Sequence, residues 1–190
     1  MYRRLKSGLA ALSIIVFSQL AQADEYADAR KIFEGAGESA GFFQNSYGYA
    51  LFPTIGKGGI GIGGAHGSGK VYVGGQVVGK TSMTQLTIGI QLGGQAYSQI
   101  IFFENKKAFD DFTSGNFEFS AQATAVAITA AASAQSTTGG GSSAGASGGK
   151  HDASTVSAGY QNGMAIFTVA KGGLMYEASL GGQKYSYEAE

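Results

Sequence analysis

The sequence has no cysteine and no tryptophan, and it has only one proline and two histidines in 190 residues. Without cysteine the chain cannot form a disulfide or a thiolate metal site, and it has no thiol nucleophile. The two histidines, His66 and His151, are too few for a multi-histidine metal centre. This composition argues against a metalloenzyme and a cysteine protease. Since the sequence also shows no nucleophile–base constellation, we predict no catalytic residues, no metal, no other cofactor and no enzymatic activity.

Glycine, in contrast, is abundant, with 32 residues in the chain. Average usage is about 7%, so the excess is more than twofold. No Gly-X-Y period accompanies it, which excludes a collagen-like chain. An apolar fraction of 44% is too high for general disorder. A folded, glycine-rich protein with a substantial core is the expectation.

The first 23 residues are typical of a secretory signal peptide. A basic start precedes a short apolar run and a small-residue cleavage site: Arg3, Arg4 and Lys6, then residues 9–17, then Ala21-Gln22-Ala23. The apolar run is too short to span about 30 Å of hydrocarbon, so a membrane anchor is disfavoured. We predict removal of residues 1–23, export to the periplasm, and one domain over residues 24–190.

The residues after the signal include 10 basic and 13 acidic side chains, a net charge of −3. Binding to nucleic acid depends on neutralising phosphates with many lysines and arginines. We therefore expect no nucleic-acid partner.

Hydrophobic periodicity predicts an α+β fold, mainly an antiparallel β-sheet or barrel-like structure with an N-terminal helix and one short inserted helix. Residues 24–40 carry apolar side chains at helical spacing, and strands are predicted between residues 50 and 103. Gly74-Gly75 is typical of a hairpin turn. Asn105 is a helix N-cap candidate, and further strands are expected at 164–169, 174–180 and 184–187.

Two later segments are less regular in sequence. Residues 117–127 alternate with period 2 but are also rich in alanine, so residues 121–132 fit either a strand or a helix. Residues 133–154 consist largely of Gly, Ser and Ala. This composition predicts a flexible loop within the domain.

The sequence also contains the pattern of a P-loop, a nucleotide-binding motif. Gly74-Gly75-Gln76-Val77-Val78-Gly79-Lys80-Thr81 satisfies G-x-x-x-x-G-K-[ST]. A P-loop needs a helix directly after it, whose N-terminal amides hold the phosphates. Residues 86–90 alternate like a strand instead. We therefore predict that the match has no nucleotide partner.

Four motifs in order resemble the SYLF domain family. They are the run from Tyr49 to Gly64 with its Phe-Pro pair and Gly-x-Gly-x-Gly-Gly strand; Ile88-Gly89-Ile90-Gln91-Leu92-Gly93-Gly94-Gln95; the segment from Phe103 to Phe112; and Lys171-Gly172-Gly173-Leu174 followed by Leu180-Gly181-Gly182. The resemblance extends from about residue 30 to residue 187. It implies a lipid- and actin-associated module that binds phosphoinositides and actin filaments in eukaryotes, and that is exported and free-standing in bacteria.

The chain departs from that family where lipid binding is concerned. The basic amphipathic helix associated with lipid binding is here acidic: it has Asp24, Glu25, Asp28, Glu34 and Glu38 against Arg30 and Lys31. The family's Trp-Ser-x-Pro segment is absent, since the chain has no tryptophan. Actin has no place in a bacterial envelope, so we do not transfer that activity.

The resulting hypothesis is a non-enzymatic envelope module that binds a membrane lipid surface weakly and peripherally, or binds another envelope protein. The candidate contacts are lysines expected in glycine-rich turns and aromatic residues near the N-terminal helix: Lys57, Lys70, Lys80, Lys171, Phe33, Phe42 and Phe43. For any single one, a solvated lysine or a core phenylalanine is the simpler interpretation. The alternatives are an outer-membrane β-barrel and a structural envelope protein.

Overall fold

The computed structural model describes residues 23–89, 95–119, 125–128, 159–171 and 180–190. The helices are α1 (23–35), α2 (Gly37–Ala40), α3 (Phe42–Asn45) and α4 (Lys106–Phe112). The strands are β1 (Gly48–Val73), β2 (Gln76–Gly89), β3 (Gln95–Phe103), β4 (Phe117–Glu118), β5 (Val126–Ile128), β6 (Met164–Lys171) and β7 (Gln183–Ala189). The predicted signal peptide, the 133–154 loop and most of the predicted 174–180 strand lie outside the described residues.

All seven strands form one sheet in the order β4-β7-β2-β1-β3-β6-β5. Every pairing is antiparallel except that of β5 with β6. The sheet curls into a half-barrel: side chains of β3 and β7 form hydrogen bonds although two strands separate them in the sheet. The predicted α+β fold is confirmed.

The longest strand, β1, has two arms that pair with different neighbours. Residues 48–57 pair with β3, and residues 61–73 pair with β2. Gly59 lies between the arms with φ 147°, a value that favours glycine. β1 is therefore shared by both halves of the sheet.

The hairpin between β1 and β2 turns at Gly74 and Gly75 as predicted, with φ 58° and 80°. Positive φ at both central residues is the requirement of a type I′ turn. Strand β2 follows directly. The P-loop pattern is thus a hairpin, without the helix that phosphate binding needs.

The sheet has a core on each face because alternate residues of a strand point in opposite directions. On the inner face, Ala108 and Phe112 of α4 pack against Phe103 and Tyr185. The side chain of the predicted N-cap, Asn105, accepts a hydrogen bond from the backbone N–H of Ala108 at 3.1 Å. Helix α4 therefore closes part of the half-barrel interior.

On the outer face, Ala29 and Phe33 of α1, with Ala36 directly after the helix, pack against β1, β3 and β6; all three are less than 4% exposed. This is the apolar stripe expected from the sequence. The predicted helix over 24–40 is interrupted, however, because Ala36 adopts an extended conformation, with φ −88° and ψ 123°. Glycines at positions 35 and 37 lower the cost of this break, since glycine is a poor helix former.

Candidate functional site

The surface where α1 meets the outer side of β1 and β2 brings cationic and aromatic side chains together. Helix α1 contributes Tyr26 and Arg30, β1 contributes Lys70 and Tyr72, and β2 contributes Lys80. We call these five residues the lysine–tyrosine face. Beside it, Ser68, Thr84 and Ser186 on the outer side of the sheet are exposed.

Lys70 and Lys80 lie directly opposite each other in the β1–β2 register. Like charges at opposed positions of an antiparallel pair are destabilising. The Lys70 ammonium lies 4.7 Å from the centroid of the Tyr26 ring, within the range of a cation–π interaction. Lys80 forms an exposed ion pair with Glu190 at 3.2 Å. The strand register thus places the two lysines side by side on the sheet, with each ammonium held by a different neighbour.

Most other cations of the described part of the chain have an acidic partner within 4.0 Å. These are Arg30, Lys31, Lys80, Lys106, Lys107, Lys171 and Lys184. Among the described residues, Lys57 and Lys70 have no such partner. Lys70 is therefore the member of the lysine–tyrosine face whose charge is available to an external anion.

The tyrosines of the face are half-buried and uncharged. Tyr72 stacks on Tyr49, with ring centroids 4.8 Å apart. Burial raises the pKa of Tyr26 and of Tyr72 to about 12, so both keep their hydroxyl protons at neutral pH. Arg30 donates to Glu34 at 2.7 Å, and this hydrogen bond raises the Arg30 pKa. The face offers hydroxyl, ammonium and guanidinium donors side by side.

The three candidate phenylalanines pack on the outer core. Phe33 has no exposed surface. Phe42 and Phe43 are half-buried, and their ring centroids lie 5.5 and 4.9 Å from that of Phe102. Phe33 could touch a membrane only if α1 left the sheet, whereas parts of Phe42 and Phe43 remain exposed.

The four candidate lysines lie in strands, so the expectation that they lie in glycine-rich turns is wrong. The glycine-rich segments continue the strands because β1 and β2 pair closely there. Lys57 is opposite Gln95, away from Lys70. Lys171, the last residue of β6, pairs with Glu25 of α1 at 3.4 Å. Only Lys70 and Lys80 come together in the face.

Glu25 and Lys171 share a third partner, Thr54. The Thr54 hydroxyl donates to the Glu25 carboxylate, and the Lys171 ammonium contacts the same hydroxyl at 2.5 Å. The Thr54 hydrogen bond, with help from Lys171, lowers the pKa of Glu25. This contact attaches the start of α1 to β1 and β6.

A second polar group, inside the half-barrel, was not predicted from the sequence. We call it the inner polar cluster; its members are Gln85, Tyr97, Gln99, Gln183 and Tyr185, each no more than 5% exposed. The Gln99 amide donates to Tyr185 at 2.7 Å, Tyr185 donates to Gln183 at 2.5 Å, and Gln183 donates to Tyr97 at 3.2 Å. Burial raises the pKa of both tyrosines, so the cluster is neutral.

Two further observations concern the part of the chain that the structure describes. It contains no group of three or more His, Cys, Asp or Glu side chains arranged to hold a metal ion. None of its helices combines the length and the apolar character needed to cross a membrane.

Comparison with known proteins identifies the family. The family model described as Ysc84, Las17-binding protein actin regulator, matches residues 84–190. The chain is also similar to Beta cell expansion factor A of Aeromonas veronii, with 30% identity over 145 residues, 75% of this chain and 46% of that protein. The chain thus spans about half the length of this curated relative. With more than half of its residues matched and its motifs in the expected order, the chain belongs to the Ysc84 family of SYLF domains.

Proposed function

We propose that this protein is a non-enzymatic module that binds lipid head groups weakly, at a membrane surface, through the lysine–tyrosine face. Family membership supports a lipid- or actin-related module. The observation that carries the proposal is the juxtaposition of Lys70 and Lys80 on an exposed sheet face, with Lys70 lacking an acidic partner among the described residues. Its setting is the bacterial envelope, reached by the predicted export signal.

The chemistry of the face suits a head group. A lysine ammonium donates to phosphate as a compact point charge. Tyrosine has an apolar ring and a polar tip, so it suits the boundary between water and lipid. Tyr26 and Tyr72 stand beside Lys70 in this arrangement.

The charge balance of the face sets the strength of binding. The cations Arg30 and Lys80 are paired with Glu34 and Glu190, which leaves Lys70 as the uncompensated charge. One basic residue near an anionic surface contributes about 1 kcal/mol. We therefore expect weak binding that falls only modestly between low and physiological salt.

A partner protein of the envelope is the second candidate, and the name of the family refers to a protein partner, Las17, and to actin regulation. The matched relative is bacterial, which favours a ligand present in bacteria. Lipid is such a ligand and actin is not, so we prefer the lipid surface.

Vesicle flotation of the full chain tests the proposal. The variant is Lys70→Ala with Lys80→Ala. The matched control is Lys106→Ala with Lys107→Ala, which removes two exposed lysines of α4 that have their own acidic partners. An uncompensated lysine contributes about 1 kcal/mol to binding. We therefore expect the apparent binding constant of the face variant for vesicles containing anionic lipid to drop roughly fivefold, and that of the control to change little.

Equal flotation of the face variant and the wild type would contradict the proposal, as would an equal loss in both variants. Circular dichroism of each variant shows whether the sheet is intact. Recovery of the protein only with another envelope protein, and never with lipid, would favour the second candidate.

A further inference from the structure

Two neighbouring polar atoms inside the half-barrel have no hydrogen-bond partner among the described residues. They are the side-chain oxygen Oε1 of Gln99 and the hydroxyl Oγ1 of Thr168. Gln99 is 0% exposed and Thr168 is 1% exposed. The two residues are opposite each other in the β3–β6 register, so their side chains leave the same face about 5 Å apart at Cβ.

The orientation of the Gln99 amide is fixed by a chain of hydrogen bonds. Its nitrogen donates to Tyr185 at 2.7 Å and to the side-chain oxygen of Gln183 at 3.3 Å. The Gln183 nitrogen lies 3.4 Å from the side-chain oxygen of Gln85, whose own nitrogen donates to the backbone carbonyl of Gly181 at 2.8 Å. The backbone carbonyl of Gly181 can only accept a hydrogen bond. It therefore fixes which atom of each amide side chain in this series is the donor.

Rotating the Gln99 amide would only transfer the deficit, because its oxygen would then lie beside the Tyr185 hydroxyl, whose single proton already goes to the Gln183 oxygen. Exchange of its oxygen and nitrogen would place two acceptor oxygens against each other at Gln183, and the same conflict would pass along to Gly181. The Gln99 oxygen remains an acceptor that points away from the rest of the inner polar cluster. A buried polar atom without a partner costs about 1–3 kcal/mol, and native proteins rarely leave two side by side.

We propose that a neutral hydroxyl-bearing molecule binds inside the half-barrel, where its hydroxyl donates to Oε1 of Gln99 and forms a hydrogen bond with Oγ1 of Thr168. All hydrogen-bonding side chains of the inner polar cluster are amides or phenols, so no described member of it offers a charge to an ion. The hydroxyl belongs either to an ordered water or to an alcohol group of a small organic ligand, since both offer the same donor chemistry. This site lies on the inner face and does not depend on the lysine–tyrosine face.

Thermal unfolding of Thr168→Val tests whether the hydroxyl of Thr168 is used. Valine keeps the shape and the strand preference of threonine and removes only the hydroxyl. If a bound group bridges Gln99 and Thr168, the variant loses a hydrogen bond, and we expect Tm to fall by about 2–4 °C. The control is Thr84→Val, an exposed threonine on the opposite face of the sheet, for which we expect little change.

The opposite sign would overturn the proposal. If the Thr168 hydroxyl is buried without a partner, its removal relieves a desolvation cost, and Tm rises or stays the same. The sign of the change in Tm therefore distinguishes an occupied site from an empty one.

A crystal structure of the full chain, purified without added polyol, provides the second arm. We expect electron density within hydrogen-bond distance of both Gln99 Oε1 and Thr168 Oγ1. A single peak identifies water, and extended density with a matching mass in the denatured extract identifies an organic alcohol. A direct bond between the two side chains, or no density between them, would refute the site.

Discussion

At the scale of single residues, Gly67 and Gly69 allow the two arms of β1 to approach each other. A Cβ at Gly67 would lie 2.6 Å from the Ile55 side chain, and a Cβ at Gly69 would lie 2.7 Å from the Phe52 ring and 2.9 Å from the Leu51 carbonyl oxygen. Real Cβ atoms do not come this close to other heavy atoms. The curl of the sheet therefore depends on the absence of side chains at these two positions.

We expect Gly69→Ala to destabilise the protein by about 1–3 kcal/mol, because overpacking forces neighbouring groups out of position. The control is Gly56→Ala in the same strand, where an added Cβ meets nothing within 4 Å. Alanine there should be neutral or slightly stabilising, because glycine loses more conformational freedom on folding. Denaturant unfolding of both variants measures the difference, and equal stabilities would show that the two arms are not in tight contact.

Residue detail also explains why the lysine–tyrosine face could be predicted only in part. The Gly74-Gly75 turn was evident, and regular pairing from Val73 opposite Gln76 would place Lys70 opposite Gly79. A register shift next to Val71 instead places Lys80 there. Bulges depend on packing of the whole sheet, so the lysine pair was not foreseeable from local sequence.

At the scale of elements, α1 is held on the sheet by its apolar stripe and by the contact of Glu25 with Thr54 and Lys171. The apolar stripe is buried, and it contributes most of the free energy that holds α1 on the sheet. The polar contact is exposed, with 46% of the Glu25 side chain accessible, and such ion pairs contribute little. Its role is to fix where the start of α1 lies.

We expect Glu25→Gln to lower the free energy of unfolding by about 0.5 kcal/mol at neutral pH. The folded-state pKa of Glu25 lies below its ordinary value of 4.5, so the carboxylate contributes stability above that value and loses it as the pH falls through the folded-state pKa. Urea unfolding of both proteins from neutral to acidic pH should show curves that converge at low pH. A difference that persists in acid would assign the effect to packing instead.

Elements with a strong periodic pattern were predicted well. The spacing of apolar residues correctly predicts the buried stripe of α1 and the strands β6 and β7. The cap preference of asparagine correctly predicts the start of α4. The predictions that failed concern the glycine-rich segments, whose composition suggests turns around the lysines. Glycine permits a turn, but here it permits close strands, and pairing partners distant in sequence decide between the two.

At the scale of the molecule, the sheet divides the protein into an inner face with a neutral polar cluster and an outer face that is partly covered by α1 and α3. The sequence could not reveal the inner polar cluster. A glutamine in a strand can face either solvent or the interior, so local sequence does not show that Gln85, Gln99 and Gln183 are buried. Only the curl of the sheet brings β3 and β7 together and buries them.

The outer face carries the central claim, that the lysine–tyrosine face is the surface that meets lipid. The chain has no tryptophan, so a single introduced tryptophan reports its own surroundings without background. We choose Ser68→Trp, which is exposed on the same face of β1 as Lys70 and Tyr72. The control is Ser114→Trp, which is exposed beyond α4.

Tryptophan fluorescence of both variants, measured during titration with phospholipid vesicles, tests this claim most directly. Our account predicts a blue shift for Ser68→Trp as the ring enters the head-group region, where tryptophan is favoured. It predicts no shift for Ser114→Trp, and loss of the Ser68→Trp shift when Lys70→Ala and Lys80→Ala are added. A blue shift of Ser114→Trp alone, or vesicle binding with no shift at Ser68→Trp, would contradict it.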